Sequence, residues 1–347
     1  MSHLIPWMER GLLAAAALTL SGVALAQAPV PAPAAANATT AAQPPADTPT
    51  QTPAIPGVVA AGTPVRFLKD GFKGTEGPLG LPDGRFVFTE TQAERITQLL
   101  PDGSTQPFLT QSNGANGLGW SRSGELYAVQ VSQARVGIVY PADKARTLAD
   151  SWEGKPFDRP NDLVLDSQGN VYFTDSGSAP GQRQGAAAAV DYAKPAVYRL
   201  RAGGVLERLA ADITRPNGIQ LSPDERTLYV ADTAGEWILA YDIAASGQLG
   251  PRRNFARLAG FRRLENGSTT SGADGLAVDA EGRLYVASSV GVQVFSPKGE
   301  ALGTITLPRA PQNLAFAGPD KRQLYVVGRG AAWQVAVLTP GLATRAK

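Results

Sequence analysis

Between residues 76 and 329 one pattern returns six times: a polar lead residue, a short apolar strand, a turn rich in Gly, Asp, Pro or Ser, and a second apolar strand. The copies are EGPLGLPDGRFVFTET from Glu76, NGLGWSRSGELYAVQ from Asn116, NDLVLDSQGNVYFTDS from Asn161, NGIQLSPDERTLYVADT from Asn217, DGLAVDAEGRLYVASS from Asp274 and NLAFAGPDKRQLYVVGR from Asn313. Successive lead residues are 40, 45, 56, 57 and 39 positions apart. A β-hairpin repeated at about 40–50 residues is the pattern of propeller blades, each of which can bury its apolar faces only against its neighbours.

The remainder of each unit supplies two more short strands. AVYRLRAGG and VLERLAAD follow the third hairpin; GVQVFSPKG and EALGTITLP follow the fifth. The sixth unit has a third strand, WQVAVL, and no fourth after it. PVRFLKD at 64–70 can fill that place, which closes the ring and leaves no open sheet edge. The expected fold class is therefore all-β, a six-bladed β-propeller over residues 61–341 closed by an N-terminal strand. The 38 Gly and 27 Pro suit its many tight turns.

Residues 1–26 carry Arg10, a short apolar stretch and Ala-Leu-Ala before Gln27. This is the pattern of a secretory signal cleaved near Ala26, and the apolar stretch is short of the ~20 residues a membrane span needs. The mature chain is expected in the periplasm or outside the cell, with no membrane span. Residues 27–60 are rich in Ala, Pro and Thr, with Asp47 their only charge and no aromatic, so a disordered tether is expected there. A net charge of +2, with no run of like charges, gives no footprint for nucleic acid.

In a propeller the first strand of every blade lines the central channel, and all six run the same way. Glu76, Asn116, Asn161, Asn217, Asp274 and Asn313 should therefore form a ring near one mouth. Two carboxylates and four amides, with no thiol or imidazole, make a hard-oxygen environment. Such oxygens suit Ca²⁺, Mg²⁺ or Mn²⁺. Asn and Asp also start strands after turns for purely local reasons. Six copies at one repeat position, two of them acidic, favour the metal reading over that local one.

At these residues the chain resembles the gluconolactonase and regucalcin (senescence marker protein) family of six-bladed propellers. The resemblance covers about 65–335 and rests on EGP at 76–78, RPND at 159–162, RPNGIQLSPDERTLYVAD at 215–232 and ADGLAVDAEGRLYVA at 273–287. It implies one divalent cation in the channel, Ca²⁺ foremost, with Mg²⁺, Mn²⁺ or Zn²⁺ as alternatives. The implied ligands are Glu76, Asn217 and Asp274, with Asn161 a fourth ligand or a substrate contact. Arg159 corresponds to a substrate-binding position of some members, and Asn116 joins Arg159 and Asn161 as a substrate contact. Many bacterial members carry Glu-His where the second hairpin ends and Pro-Tyr-Gly after the third. Here those places hold Gln130 and Val131, and Ser176–Gly177–Ser178. Both departures are expected at the pocket rim, where they bear on the substrate.

What is missing narrows the chemistry. The only His is His3, inside the leader, and there is no Cys. A His-based Ser triad and a Cys nucleophile are thus excluded from the mature chain, along with disulfides. Hydrolysis would have to use a carboxylate and a metal acting as Lewis acid on a sugar lactone or related cyclic ester. Asp274 is the candidate general base, since a carboxylate has a second oxygen to spare beyond one that faces a metal. Two function classes fit these residues: an exported metal-dependent lactone hydrolase, and a non-catalytic exported propeller that binds a small ligand or protein partner. The loop 177–196 is expected either to cover the channel mouth with Arg183 and Tyr192 reaching inward, or to be disordered.

Overall fold

The computed structural model describes residues 45–178 and 182–347. The expected leader and residues 27–44 of the expected tether lie outside them. Six antiparallel sheets of four or five strands follow one another along the chain, two further two-stranded ribbons lie at 151–156 and 262–270, and helix is confined to three short 3₁₀ turns among the described residues. Blade 1 consists of Thr75–Gly80, Phe86–Glu90, Arg95–Leu99 and Thr105–Thr110. Blade 2 opens with Ala115–Trp120, blade 3 with Pro160–Leu165, blade 4 with Pro216–Leu221 and blade 5 with Leu276–Val278. Each of these sheets keeps sequential strand order. Blade 6 combines Asn313–Ala317, Gln323–Gly328 and Ala331–Ala336 with Pro64–Asp70 from the other end of the domain. The closing ladder runs from Arg66 opposite Gln334 to Asp70 opposite Ala331, with one register shift between Phe67 and Lys69. The six-bladed propeller and its closing strand are as the repeats predict.

The inner strands of blades 1, 4 and 5 are buried along their whole length, so burial does not alternate from one residue to the next. Apolar clusters fill the spaces between blades. Tyr172 packs with Ile219 and Leu221 of the next blade, Tyr229 with Leu276 and Val278, and Tyr285 meets the Phe316 ring edge-on at 5.1 Å. Two glycines show how closely the inner strands pass. A Cβ on Gly77 would lie 1.9 Å from the Asn116 carbonyl oxygen, and one on Gly218 would lie 2.1 Å from that of Asp274. No side chain fits at either place.

The ordered structure begins earlier and extends later than the repeats indicate. The expected tether is corrected from residue 45 onward. Thr50–Gln51 adds a fifth strand to blade 6 beside Pro64–Asp70, and Ala46, Ile55, Val58 and Val59 are buried against blades 5 and 6. The physical reason lies in the partner. Trp333 is fully buried, its indole N–H needs an acceptor, and the Ala46 carbonyl supplies one at 2.8 Å. Thr339 Oγ1 donates to the Gly57 carbonyl at 2.7 Å and ties this strap to the chain beyond blade 6. The repeat count puts that later stretch, 339–347, largely outside the propeller, yet Ala346 and Lys347 are buried.

Deleting residues 45–60 should therefore destabilise the domain. Ile55, Val58 and Val59 each lose burial of the kind valued at about 1.5–3 kcal/mol per side chain, and Trp333 loses its acceptor. We expect a large fall in melting temperature or loss of soluble protein on this deletion. An unchanged melting temperature would show that the strap contributes nothing.

Candidate active site

The six lead residues do assemble at one end of the inner strands. Glu76, Asn116, Asn217 and Asn313 are buried, while Asn161 and Asp274 keep partial access to the mouth. Asp274 stands two residues before its strand and is held by its own backbone, whose N–H donates to the Ala287 carbonyl at 2.9 Å.

Two neighbours hold the Glu76 carboxylate. Gln312 Nε2 donates to Oε1 at 3.2 Å and Asn313 Nδ2 donates to Oε2 at 3.3 Å. The Asn313 amide oxygen is already taken by the Leu314 N–H, so Asn313 positions Glu76 and has no free donor oxygen of its own. Asn217 is fixed differently. Its Nδ2 donates to Thr233 Oγ1 at 3.0 Å, and that hydroxyl donates onward to the Ala273 carbonyl at 2.8 Å. With the amide nitrogen committed, Oδ1 must point the other way, and it is buried with no hydrogen-bond partner. Asn161 Oδ1 is likewise buried and unpartnered. Orphaned buried oxygens are rare because each costs about 1–3 kcal/mol.

The carboxylates are strained electrostatically. Burial, opposed in part by the Asn313 hydrogen bond, pushes the Glu76 carboxyl up to about 7. Desolvation by the surrounding protein, and then the Glu76 charge, hold the Asp274 carboxyl well above the usual carboxylate range; Arg329 and Arg215 oppose that shift from the rim. Two carboxylates that resist ionising together, beside two unsatisfied amide oxygens, fit a hard divalent cation. Among the described residues no three acidic, imidazole or thiol groups are arranged to hold an ion. The donor set is half amide. Of the expected ligands, Glu76, Asn161, Asn217 and Asp274 therefore all present chemistry that suits a cation.

Other expected residues take different places. Arg159 is half-buried two positions before Asn161, and its backbone N–H donates to buried Asp175 at 2.8 Å. Asp175 and Asp232 knit turns by accepting backbone N–H groups, as strand-end acids do. Gln130 belongs to that same structural position: it is buried, donates to the Ser112 carbonyl and accepts from Arg135. Ser178 binds Asp158 instead of facing the ring. In the loop 177–196, of which 179–181 lie outside the described residues, Arg183 pairs with Asp158 and its guanidinium sits 4.2 Å from the centre of the Tyr192 ring. These contacts fold the described part of the loop onto the connection that leads to Asn161.

Sequence reasoning missed Gln312, Thr233, Asp162 and Arg329. Asp162 alone left a signal, because Gly stands at its position in blades 1, 2, 4 and 5. A cavity of about 440 Å³ lies at the other end of the inner strands, lined by Gly80, Trp120, Lys321 and Arg345 and by none of the ring residues.

Comparison with known proteins agrees with this architecture. The gluconolactonase of Zymomonas mobilis subsp. mobilis is 28% identical over 295 residues, covering 79% of this chain and 82% of that one. The solved structure of a Xanthomonas campestris gluconolactonase superposes with a TM-score of 0.72 at 28% identity, over 85% of this chain and 96% of that one. The calcium-binding regucalcin of Agrobacterium tumefaciens shares the fold, with a TM-score of 0.65 at 21% identity over 81% of this chain and 96% of that one. The SMP-30/Gluconolactonase/LRE-like region matches residues 74–329, and the chain belongs to that family.

Proposed function

We propose that the protein is a divalent-cation-dependent hydrolase of a sugar lactone. One observation carries the reading: in a chain of the gluconolactonase family, the Glu76 and Asp274 carboxylates act on each other in the same ring of lead residues that holds two buried, unpartnered amide oxygens, those of Asn161 and Asn217. Ca²⁺ is the proposed ion, and Glu76, Asn161, Asn217 and Asp274 are the groups that would hold it. When bound, such a cation supplies Lewis-acid polarisation of the lactone carbonyl and permits both carboxylates to ionise.

The protein's own groups account for the rest. Gln312 and Asn313 keep Glu76 in place, and Thr233 keeps the Asn217 oxygen directed into the site. Asp274, with partial access to the mouth, takes the proton from the attacking water. Water oxygen bonds to the carbonyl carbon, the ring C–O bond breaks, and the proton passes to the leaving ring oxygen. The product is the open hydroxy acid. Arg159 and Asn116 are assigned to the hydroxyl groups of the sugar. The binding-protein alternative has no observation of its own in its favour, whereas the paired acids and the family membership favour hydrolysis.

A panel of aldonolactones assayed with and without chelator tests the reading: turnover that chelator abolishes and Ca²⁺ restores is expected. No turnover on any lactone, with ligand binding retained, would favour the binding protein. Within an active enzyme, Asp274→Asn should keep the fold and lower kcat by about 10²–10⁴. Asn217→Ala should raise the metal concentration needed, with activity partly recovered by excess Ca²⁺. Near-full activity of Asp274→Asn at saturating metal would remove it as the base and leave Glu76 as the remaining carboxylate.

The pH dependence follows from Glu76. Its folded-state value of about 7 lies above the ordinary 4.5, so the folded chain retains a proton that the unfolded chain has released. That contribution to stability is present below pH 4.5 and is lost as pH rises through about 7. In chelator, the melting temperature should fall between pH 5 and pH 8, and saturating Ca²⁺ should remove the fall. A flat profile in chelator would contradict this electrostatic account.

A further inference from the structure

The segment 339–347 crosses the far ends of the inner strands, opposite the candidate site. Gly341 bridges to Asp279 after the inner strand of blade 5. Arg345 donates to Gln220 Oε1 and to the carbonyls of Leu221 and Ser222 at the end of blade 4's inner strand. Lys321 Nζ donates to the Gly80 carbonyl of blade 1 and to those of Arg345 and Ala346, and Ala346 packs with Leu79, Leu81 and Leu118. Held from three sides, the segment turns Lys347 toward the ring. Its Nζ pairs with Asp162 Oδ1, and both side chains are almost fully buried, at 3% and 1% exposure.

Asp162 is the anomaly that explains this contact. It follows the lead residue Asn161, where four other blades have Gly. Its side chain fits because blade 2 has Gly117 alongside: a Cβ there would lie 2.6 Å from Asp162 Oδ1. Apart from Lys347, Oδ1 accepts only the Leu163 N–H, and Oδ2 is buried with no partner. An isolated buried carboxylate is among the costliest groups a fold can hold. Asp162 also stands near enough to the ring that its charge, and the opposing charge of Lys347, are both felt at Glu76.

We propose that Lys347 is the channel's resident counter-ion, a positioning residue that holds Asp162 in an ion pair and so reserves Glu76 and Asp274 for the metal. Arg215 and Arg329 lie at the mouth, partly or fully exposed, where solvent screens them. Without Lys347, Asp162 would stand as an unpaired buried carboxylate whose charge acts on Glu76. The pairing rests on the geometry alone; the consequence for the cation rests on the proposed function.

A double-mutant cycle read by melting temperature separates the two. In chelator at pH 8, Lys347→Met should lower the melting temperature by roughly 5–10 °C, the scale for breaking a buried ion pair in a domain of this size. Adding Asp162→Asn to it should recover most of that loss, because the unpaired charge is gone. Ca²⁺ should then raise the melting temperature of Lys347→Met by more than it raises the wild type, since the ion replaces the missing ammonium. A double variant as unstable as Lys347→Met would overturn the proposal in favour of simple packing by the segment. So would a Lys347→Met protein within about 2 °C of wild type, a shift too small for a broken buried pair. Failure of the wild type to hydrolyse lactones would sink the hydrolase reading and leave the melting comparison between Lys347→Met and the double variant unchanged.

Discussion

The ladder between Pro64–Asp70 and Ala331–Ala336 is the interaction on which the other features depend. It joins strands some 270 residues apart, for example Arg66 to Gln334. Until it forms, blade 6 lacks an outer strand and blade 1 lacks a neighbour. Once formed, it completes blade 6, closes the ring, leaves only short edges at the outer strands and sets six inner strands side by side. Their spacing is then dictated by backbone contact, as at Gly77 and Gly218, and every first residue of a strand must meet its counterparts at one mouth. The ring of polar residues is a geometric consequence of closure.

That consequence carries a penalty, and the protein manages it by orientation. Asn313 and Gln312 use their N–H groups on Glu76, and Thr233 occupies the Asn217 nitrogen. The Thr233 contact turns the Asn217 oxygen inward and leaves it unsatisfied. Burial raises both the Glu76 and the Asp274 carboxyl above the ordinary carboxylate range, and none of the six ring residues is a cation that could pair with them. Such an arrangement suits the proposed hard cation better than a pocket lined by satisfied groups would. The far end of the channel follows the opposite rule. There Lys321 and Arg345 are spent on backbone carbonyls, and Lys347 on Asp162.

The repeated hairpins make the propeller, its closure and the ring of six lead residues legible in the sequence, because each depends on local pattern or on repeat arithmetic; the choice of four proposed ligands among the six rests on the family resemblance. The strap at 45–60 is not legible. Its composition is that of a linker, and only the unmet indole N–H of Trp333, far along the chain, gives Ala46 a reason to be ordered. Correspondence with relatives puts Gln130 and Ser178 at the substrate rim, but in this chain their hydrogen bonds serve the loops. The supports of the site, Thr233 and Gln312, sit on turns with no periodic signature. Lys347 is invisible for a related reason: its partner is 185 positions away, and nothing in the segment GLATRAK marks it as buried. Asp162, in contrast, breaks the Gly pattern of its repeat and is open to question from the sequence alone.

The central claim is that Glu76, Asn161, Asn217 and Asp274 form one cation site. Crystals soaked in Mn²⁺ and measured for anomalous scattering test it directly. The account predicts one strong peak in the channel mouth, with oxygens of Glu76, Asn217 and Asp274 at about 2.0–2.6 Å and the Asn161 amide oxygen turned toward it. No peak in the channel, or a peak on Asp162 with the Asn161 and Asn217 oxygens still unpartnered, would contradict it.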